Sequence, residues 1–219
     1  MTLRAVFWDN DGVLVDTEEL YFEATRAVLA QVGFALDTEQ FAELSLRQGR
    51  SVFDLVRATV GDREVERLRS ERNTRYAARL AAGVPALEGV EEVLVALRGR
   101  VAMGVVTSSN PEHFEIVHRA TGLRRYFDFV LTNCDYARSK PHPDPYLAAL
   151  VRCGLAPEQC IAIEDSERGL AAARGAGLRC IVVPRGLTRG GTFDGAYRVL
   201  EHAQELAAVL APLLAKPEL

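Results

Sequence analysis

Five short runs of mostly apolar residues recur along the chain. They cover residues 3–8, 101–106, 127–131, 160–163 and 178–183. Because each run is apolar on both faces, the runs are typical of strands buried inside a parallel sheet. Helical periodicity lies between them, over residues 90–97, 112–121, 145–153 and 167–175. This alternation predicts an α/β fold in which helices cover both faces of an open parallel sheet.

The interval from residue 17 to residue 83 breaks the alternation. Its apolar positions recur with helical spacing, and it contains no convincing strand. We therefore predict two domains, a helical insert over residues 17–83 and a sheet-containing domain formed by residues 1–16 and 84–219. A closing amphipathic helix is expected over residues 202–214, weakened in its last turn by Pro212.

Composition and charge narrow the classes of function. The chain has 219 residues, of which 48% are hydrophobic and 26% are charged, as in ordinary globular proteins. Its formal net charge of -4 argues against nucleic-acid binding, which usually needs a basic surplus. No apolar run approaches the roughly 20 residues of a membrane helix, and residues 1–8 are too short an apolar segment for a signal peptide. We therefore expect a cytoplasmic protein with no nucleic-acid or membrane partner.

Two aspartates follow the first predicted strand. Asp9 and Asp11 are two residues apart, and Gly12 comes directly after them. Carboxylates at the carboxyl edge of a sheet repel each other and lose water, so their presence there is costly. One interpretation is a metal site with an aspartate nucleophile. The alternative is an Asx-type turn that carries two solvated acids.

Polar residues also follow three of the other predicted strands. They are Thr107 and Ser108, then Lys140, then Glu164 and Asp165. A hydroxyl in this position would bind a phosphoryl oxygen, and a lysine would neutralise the charge between nucleophile and phosphate. Taken singly, each has an ordinary explanation as a helix N-cap, an exposed lysine or acids at a helix start. Because ligands bind at the carboxyl ends of strands in such sheets, the joint occurrence favours a single site.

Together these motifs resemble those of the haloacid dehalogenase-like hydrolase superfamily. The similar segments are residues 9–14, Thr107, residues 140–141 and residues 164–166. The resemblance spans nearly the whole chain and implies a Rossmann-like parallel sheet core with an inserted small α-helical cap domain. Residues 16–18 and 169–173 resemble the branch that contains β-phosphoglucomutase, phosphoglycolate phosphatase and related sugar-phosphate phosphatases.

The resemblance implies a role for each carboxylate. Asp9 is the nucleophile that forms an aspartyl-phosphate, and Asp11 protonates the leaving alcohol and then activates water. Mg2+ is held by the Asp9 carboxylate, the Asp11 carbonyl and Asp165. Glu164 completes the metal site, either directly or through water. A set of hard oxygen ligands fits magnesium better than zinc.

The same resemblance implies that core residues hold the transferring phosphoryl group. Thr107 and Lys140 bind its oxygens as catalytic residues, and backbone amides near Ser108 contribute. Positioning and charge neutralisation of this kind supply most of the acceleration in phosphoryl transfer.

Other substrate contacts are expected from Thr17 and from the helical cap. Arg47 and Arg50 flank Gly49 in a predicted turn between helices, and Arg72 lies in a later helical stretch. We expect these arginines to face the active site and bind the distal anion or hydroxyls of the substrate. The alternative is that they are solvated helix charges.

Tyr21 lies where related sugar-phosphate enzymes commonly carry a histidine, which in β-phosphoglucomutase links cap position to acid–base chemistry. This departure favours hydrolysis over mutase activity. We therefore predict a Mg2+-dependent phosphatase, a monomer or weak homodimer, that acts on a small phosphorylated metabolite such as a sugar phosphate or phosphoglycolate. The alternatives are a phosphomutase and a non-catalytic binding module built on the same fold.

Overall fold

Six parallel strands form one sheet in the computed structural model of the chain, which describes residues 2–214. They are β1 (Ala5–Trp8), β2 (Ala102–Val106), β3 (Phe129–Leu131), β4 (Cys160–Glu164), β5 (Arg179–Val182) and β6 (Arg198–Val199). The order across the sheet is β3-β2-β1-β4-β5-β6, so β1 lies between β2 and β4. The five predicted strands are confirmed, and β6 is an exposed two-residue addition.

Helices form the segment between β1 and β2 up to Ala81. They are α1 (Glu18–Leu29), α2 (Thr38–Phe41), a π-helical segment (Ala42–Arg47), α3 (Asp54–Val60) and α4 (Asp62–Ala81). A hydrophobic cluster of its own, which includes Phe22, Phe41 and Leu68, holds this helical segment together. The predicted helical character agrees with the structure, whereas the division into domains at residues 17 and 83 stays a prediction.

Five further α-helices belong to the remainder of residues 2–214. They are α5 (Val90–Leu97), α6 (Pro111–Thr121), α7 (Asp144–Cys153), α8 (Glu167–Gly175) and α9 (Leu206–Leu210). Side chains of β1 alternate between the two faces of the sheet. Val6 and Trp8 share a buried cluster with α5, α6 and α9, and Ala5 and Phe7 share another with α7 and α8. The predicted α/β fold, with helices on both faces of a parallel sheet, is therefore confirmed.

The predicted helix over residues 202–214 is wrong in its length. Only Leu206–Leu210 is α-helical, and 3-10 turns precede and follow it. Pro212 has no amide hydrogen to donate, so it cannot continue an α-helical hydrogen-bond pattern. Across residues 2–214, no helix combines the length and the apolar character needed to cross a membrane.

Candidate active site

Asp9 begins the loop that follows the central strand, and its amide still donates a hydrogen bond to β4. The next residue, Asn10, accepts at its carbonyl from the Leu14 amide at 2.8 Å, so the chain turns back at once. Gly12 lies in this turn with a φ of 80°, and a Cβ atom there would lie 2.2 Å from Asp165 Oδ2. Both the backbone conformation and the neighbouring carboxylate therefore require glycine at this position.

Lys140 extends to the carboxylate of Asp9. Its ammonium lies 2.8 Å from Asp9 Oδ1, 2.6 Å from Glu164 Oε1 and 2.8 Å from the Val106 carbonyl oxygen. These three acceptors match its three N–H donors, and the residue is 2% exposed, which excludes the exposed-lysine alternative. Burial alone would lower the pKa of Lys140, but the Asp9 and Glu164 carboxylates raise it above its usual value. The ammonium is therefore charged beside Asp9.

Three buried carboxylates converge beside this ammonium. One oxygen each from Asp9, Glu164 and Asp165 lie within 4.8 Å of one another. Glu164 is fully buried, yet its Oε2 has no hydrogen-bond partner among residues 2–214. Carboxylate oxygens are the ligands that hard divalent cations prefer. The cluster is therefore compatible with a bound divalent cation, and Glu164 offers an oxygen for it.

Burial and repulsion by neighbouring carboxyls disfavour the ionised forms of three carboxyl groups at the site, and the pKa of each is raised. Burial raises the pKa of Asp9 to about 7, although the charge of Lys140 opposes the rise. Burial also raises the pKa of Glu18 to about 8, against the opposing charge of Arg168. The pKa of Asp165 is held well above its usual range by burial and by the Glu18 and Asp9 carboxyls. A divalent cation held by the cluster would favour the ionised forms of Asp9 and Asp165, so the donor set fits a metal.

Hydroxyl groups hold the side chain of Asp11. Thr17 donates to its Oδ1, and Ser109 donates to its Oδ2 at 2.5 Å. The hydroxyl of Thr107, directly after β2, lies 3.4 Å from the same Oδ2. Ser108 lines the cavity beside them, and its hydroxyl has no hydrogen-bond partner in the described part of the chain. The structure thus brings the predicted residues Asp11, Thr17, Thr107 and Ser108 to one place.

A cavity of about 400 Å³ connects these residues with the helical segment. Asp9, Asp11 and Ser108 line it from the sheet edge, and Arg50 and Arg72 line it from the helical segment. Carboxylates and hydroxyls therefore face guanidinium groups across one cavity.

The arginines of the helical segment differ in their partners. Arg72 packs over the ring of Tyr21, with the guanidinium carbon 4.3 Å from the ring centre. Arg69 also lines the cavity and donates to Ser51 Oγ at 3.0 Å. The exposed side chain of Arg50 makes no hydrogen bond to another described residue, so it is free to bind a ligand.

Arg47 does not line this cavity, in disagreement with its assignment to substrate binding. Its guanidinium pairs with Glu43 at 2.8 Å and with Glu167 at 3.0 Å, and it lies 3.3 Å from the Gly190 carbonyl oxygen. Because Glu167 begins α8, Arg47 connects the helical segment to the helices that cover the sheet. Arg47 precedes the turn at Gly49 and Arg50 follows it, so the two arginines have different neighbours.

Several residues that line the cavity are not among the site residues predicted from the sequence. Glu18, Arg69, Ser109 and Arg168 are four of them. Glu18 lies inside the motif segment 16–18, Ser109 follows Ser108, and Arg168 comes three residues after Asp165, so all three lie in or next to the recognised motifs. Arg69 has no such signal, because its helix is charged along most of its length.

The chain matches known proteins over nearly its full length. Residues 6–183 match the family described as haloacid dehalogenase-like hydrolase. Protein CbbY of Cereibacter sphaeroides is 34% identical over 98% of this chain and 99% of its own length. Fructose-1-phosphate phosphatase YqaB of Escherichia coli (strain K12) is 31% identical over 81% of this chain and 95% of its own length.

A solved structure supports the same grouping. A variant of CbbY from Rhodobacter sphaeroides, crystallised with xylulose-(1,5)-bisphosphate, matches with a TM-score of 0.82 at 31% identity. The match covers 94% of this chain and 96% of that chain. The sequence motifs, the parallel sheet and these matches agree, and the chain belongs to the haloacid dehalogenase-like hydrolase family.

Proposed function

We propose that this chain is a Mg2+-dependent phosphatase that hydrolyses a small phosphorylated metabolite through an aspartyl-phosphate. The observation that carries the proposal is the contact of Asp9 with Lys140 inside a cluster of buried carboxylates. A carboxylate nucleophile needs positive charge beside it before it can approach a phosphate anion. The ammonium 2.8 Å from Asp9 Oδ1 supplies part of this charge, and the acidic cluster offers ligands for a cation that supplies the rest.

In the first step, a carboxylate oxygen of Asp9 attacks phosphorus, and the ester bond to the substrate alcohol breaks. Lys140 offsets the repulsion between this carboxylate and the phosphoryl oxygens, because its buried ammonium stays charged. Mg2+ held by Asp9, Glu164 and Asp165 would supply further positive charge at the phosphoryl group. The unpartnered hydroxyl of Ser108 is available to donate to a phosphoryl oxygen.

Asp11 transfers the protons in both steps. Its carboxylic acid protonates the departing alkoxide, which leaves Asp11 ionised. The resulting carboxylate takes a proton from water as the water oxygen attacks phosphorus and the bond to Asp9 breaks. Inorganic phosphate is released, and both aspartates regain their starting forms. The hydroxyls of Thr17 and Ser109 orient the Asp11 carboxyl throughout.

The opposite wall of the cavity supports a substrate with a polar distal end. Arg50, Arg69 and Arg72 line it, and charged donors of this kind suit hydroxyls or a second anion. Several relatives are named for sugar-phosphate substrates, among them fructose-1-phosphate phosphatase YqaB and hexitol phosphatase B of Escherichia coli (strain K12). A sugar phosphate or a compound resembling phosphoglycolate is therefore the proposed substrate.

Tyr21 supports hydrolysis rather than transfer of the phosphoryl group to a second position. Its ring packs edge-on against Tyr76 at 5.1 Å and lies under Arg72. Tyr21 has no imidazole, so this position lacks the histidine that links cap position to acid–base chemistry in β-phosphoglucomutase.

Phosphate release from p-nitrophenyl phosphate tests the reaction, and a panel of sugar phosphates and phosphoglycolate tests the substrate. We expect turnover with Mg2+, none in excess EDTA, and inhibition by Ca2+, which prefers a larger and looser oxygen shell. Asp9→Asn keeps the size of the side chain and should abolish turnover. Full activity in EDTA would refute the metal, and substantial turnover by Asp9→Asn, purified free of other phosphatases, would refute the nucleophile.

A further inference from the structure

Tyr146 lies directly beneath the candidate site, although no step of the proposed reaction uses it. It belongs to α7 and is fully buried. Its ring stacks on Phe7 of the central strand, with ring centres 6.5 Å apart. Its hydroxyl donates a hydrogen bond to Glu164 Oε1. A buried phenol bonded to a buried carboxylate is a specific arrangement, because either group would be costly without the other.

The two oxygens of Glu164 have different surroundings. Oε1 accepts from Tyr146 and lies 2.6 Å from the ammonium of Lys140. Oε2 has no hydrogen-bond partner among residues 2–214. The carboxylate also packs against Gly169 of α8, where an added Cβ atom would lie 1.9 Å from Oε2. Glu164 is thus held by two donors at one oxygen and confined by backbone at the other.

We infer that Tyr146 is a positioning residue that orients Glu164, so that one carboxylate oxygen anchors Lys140 and the other binds the metal. This inference rests on the proposed function, because it takes Glu164 as a metal ligand. The hydroxyl fixes Oε1 on the side of Lys140, and rotation of the carboxylate would break that hydrogen bond. Groups that orient a metal ligand typically change metal affinity or activity by about 10-fold to 100-fold when they are removed.

Tyr146→Phe tests the inference, because it removes the hydroxyl and keeps the ring packed on Phe7. Lys140 still contacts Glu164 in this variant, so the buried carboxylate keeps one partner. We expect the Kd of Mg2+, measured by titration calorimetry on the substrate-free protein, to rise by about 10-fold to 100-fold. Thermal unfolding of the metal-free protein should remain cooperative, although the loss of one hydrogen bond to a buried carboxylate should lower the Tm modestly.

Tyr126→Phe is a matched control. Tyr126 is 8% exposed, and its hydroxyl donates to Glu91 Oε1 at 2.8 Å. It belongs to the hydrophobic cluster on the opposite face of the sheet from Tyr146. This variant therefore also loses a tyrosine–glutamate hydrogen bond, but its Kd for Mg2+ should equal that of the wild type.

A second measurement separates an effect through Glu164 from a general loss of structure. In a Glu164→Gln background, Tyr146→Phe should cause little further change in the Kd of Mg2+, because the two residues act through one ligand. A Kd within two-fold of the wild type for Tyr146→Phe, or equal losses in the Tyr126→Phe control, would overturn the positioning role. If the wild type binds no Mg2+, both the proposed function and the role of Tyr146 fail. If the wild type binds Mg2+ and Tyr146→Phe has the same Kd, only the role of Tyr146 is overturned.

Discussion

Replacing Gly12 by alanine should disable the candidate site while most of the fold survives. Gly12 has a φ of 80°, and the added Cβ atom would lie 2.2 Å from Asp165 Oδ2 and 2.7 Å from its Cγ. Asp165 is 1% exposed, so its carboxylate has little space in which to retreat. Non-bonded contacts of carbon with oxygen need more than 3 Å, so either the carboxylate or the loop must move by about 1 Å.

Gly12→Ala should therefore have two effects, one on the free energy of unfolding and one on catalysis and Mg2+ binding. A positive φ costs a residue with a Cβ atom about 1–2 kcal/mol, which lowers the free energy of unfolding. A displacement of about 1 Å in a reacting geometry can cost on the order of 100-fold in rate. We therefore expect Gly12→Ala to lose about 100-fold in kcat/KM and at least about ten-fold in affinity for Mg2+.

Gly33→Ala separates the two effects. Gly33 has a φ of 75°, but an added Cβ atom there meets no atom within 4 Å. Denaturant unfolding should show a similar loss from the backbone conformation in both variants, whereas kcat/KM and the Kd of Mg2+ should change only in Gly12→Ala. Equal Mg2+ affinity in the two variants would refute the reasoning, because it would mean that Asp165 does not bind the metal from its present position.

Three other variants test separate parts of the proposal. Arg50→Ala should lower kcat/KM for the physiological substrate by about one to two powers of ten, the equivalent of roughly 1.5–3 kcal/mol for a charged hydrogen bond. Hydrolysis of p-nitrophenyl phosphate should be nearly unaffected, and equal losses on both substrates would mean that Arg50 supports the fold. In metal-free protein, Asp9 has a pKa of about 7, so the native state binds the proton on this carboxyl more tightly than the unfolded chain does. The free energy of unfolding of the wild type should therefore fall as pH rises from about 4 to 7. The Tm of Asp9→Asn relative to the wild type should therefore increase over this range, and a constant difference would contradict the raised pKa. Arg47→Ala breaks a partly exposed pair with Glu167 and should slow all substrates to a similar, small extent, equivalent to less than about 1 kcal/mol; a loss confined to one substrate would return Arg47 to the substrate site.

Buried strands are well predicted from sequence here because their side chains are apolar on both faces. The pattern in residues 160–163 gave β4 to within one residue, and residues 101–106 gave β2 equally closely. β6 carries no such signal, because Arg198 and Val199 are both exposed. Its pairing with β5 depends on tertiary packing, which a pattern of two residues cannot predict.

In the candidate site, too, residues next to strand ends are predictable from the sequence, whereas contacts that depend on tertiary packing are not. Asp9 and Asp11 are recognisable because they lie one and three residues after the end of β1, and parallel strands bring such ends together. The neighbours of Lys140 depend on tertiary packing, since Asp9 is 131 positions away in the chain. Arg47 shows the limit of spacing arguments. It lies close to Arg50 in sequence, but its guanidinium binds Glu167 instead of lining the cavity.

The balance of charge explains why the proposed reaction needs a cation that the chain does not supply. A phosphate monoester carries roughly two negative charges near neutral pH, and it must approach the Asp9 carboxylate. Lys140 already contacts two carboxylates there, so its single charge is partly balanced before the substrate arrives. Arg50, Arg69 and Arg72 line the cavity from the helical segment and suit the distal part of a substrate better than the reacting phosphorus. Arg168 of α8 also lines the cavity, but its charge already interacts with the Asp9, Glu18 and Asp165 carboxyls. A divalent cation on the acidic cluster would therefore favour phosphate binding, and bound phosphate would favour the cation to the same extent, because coupling between two ligands is reciprocal.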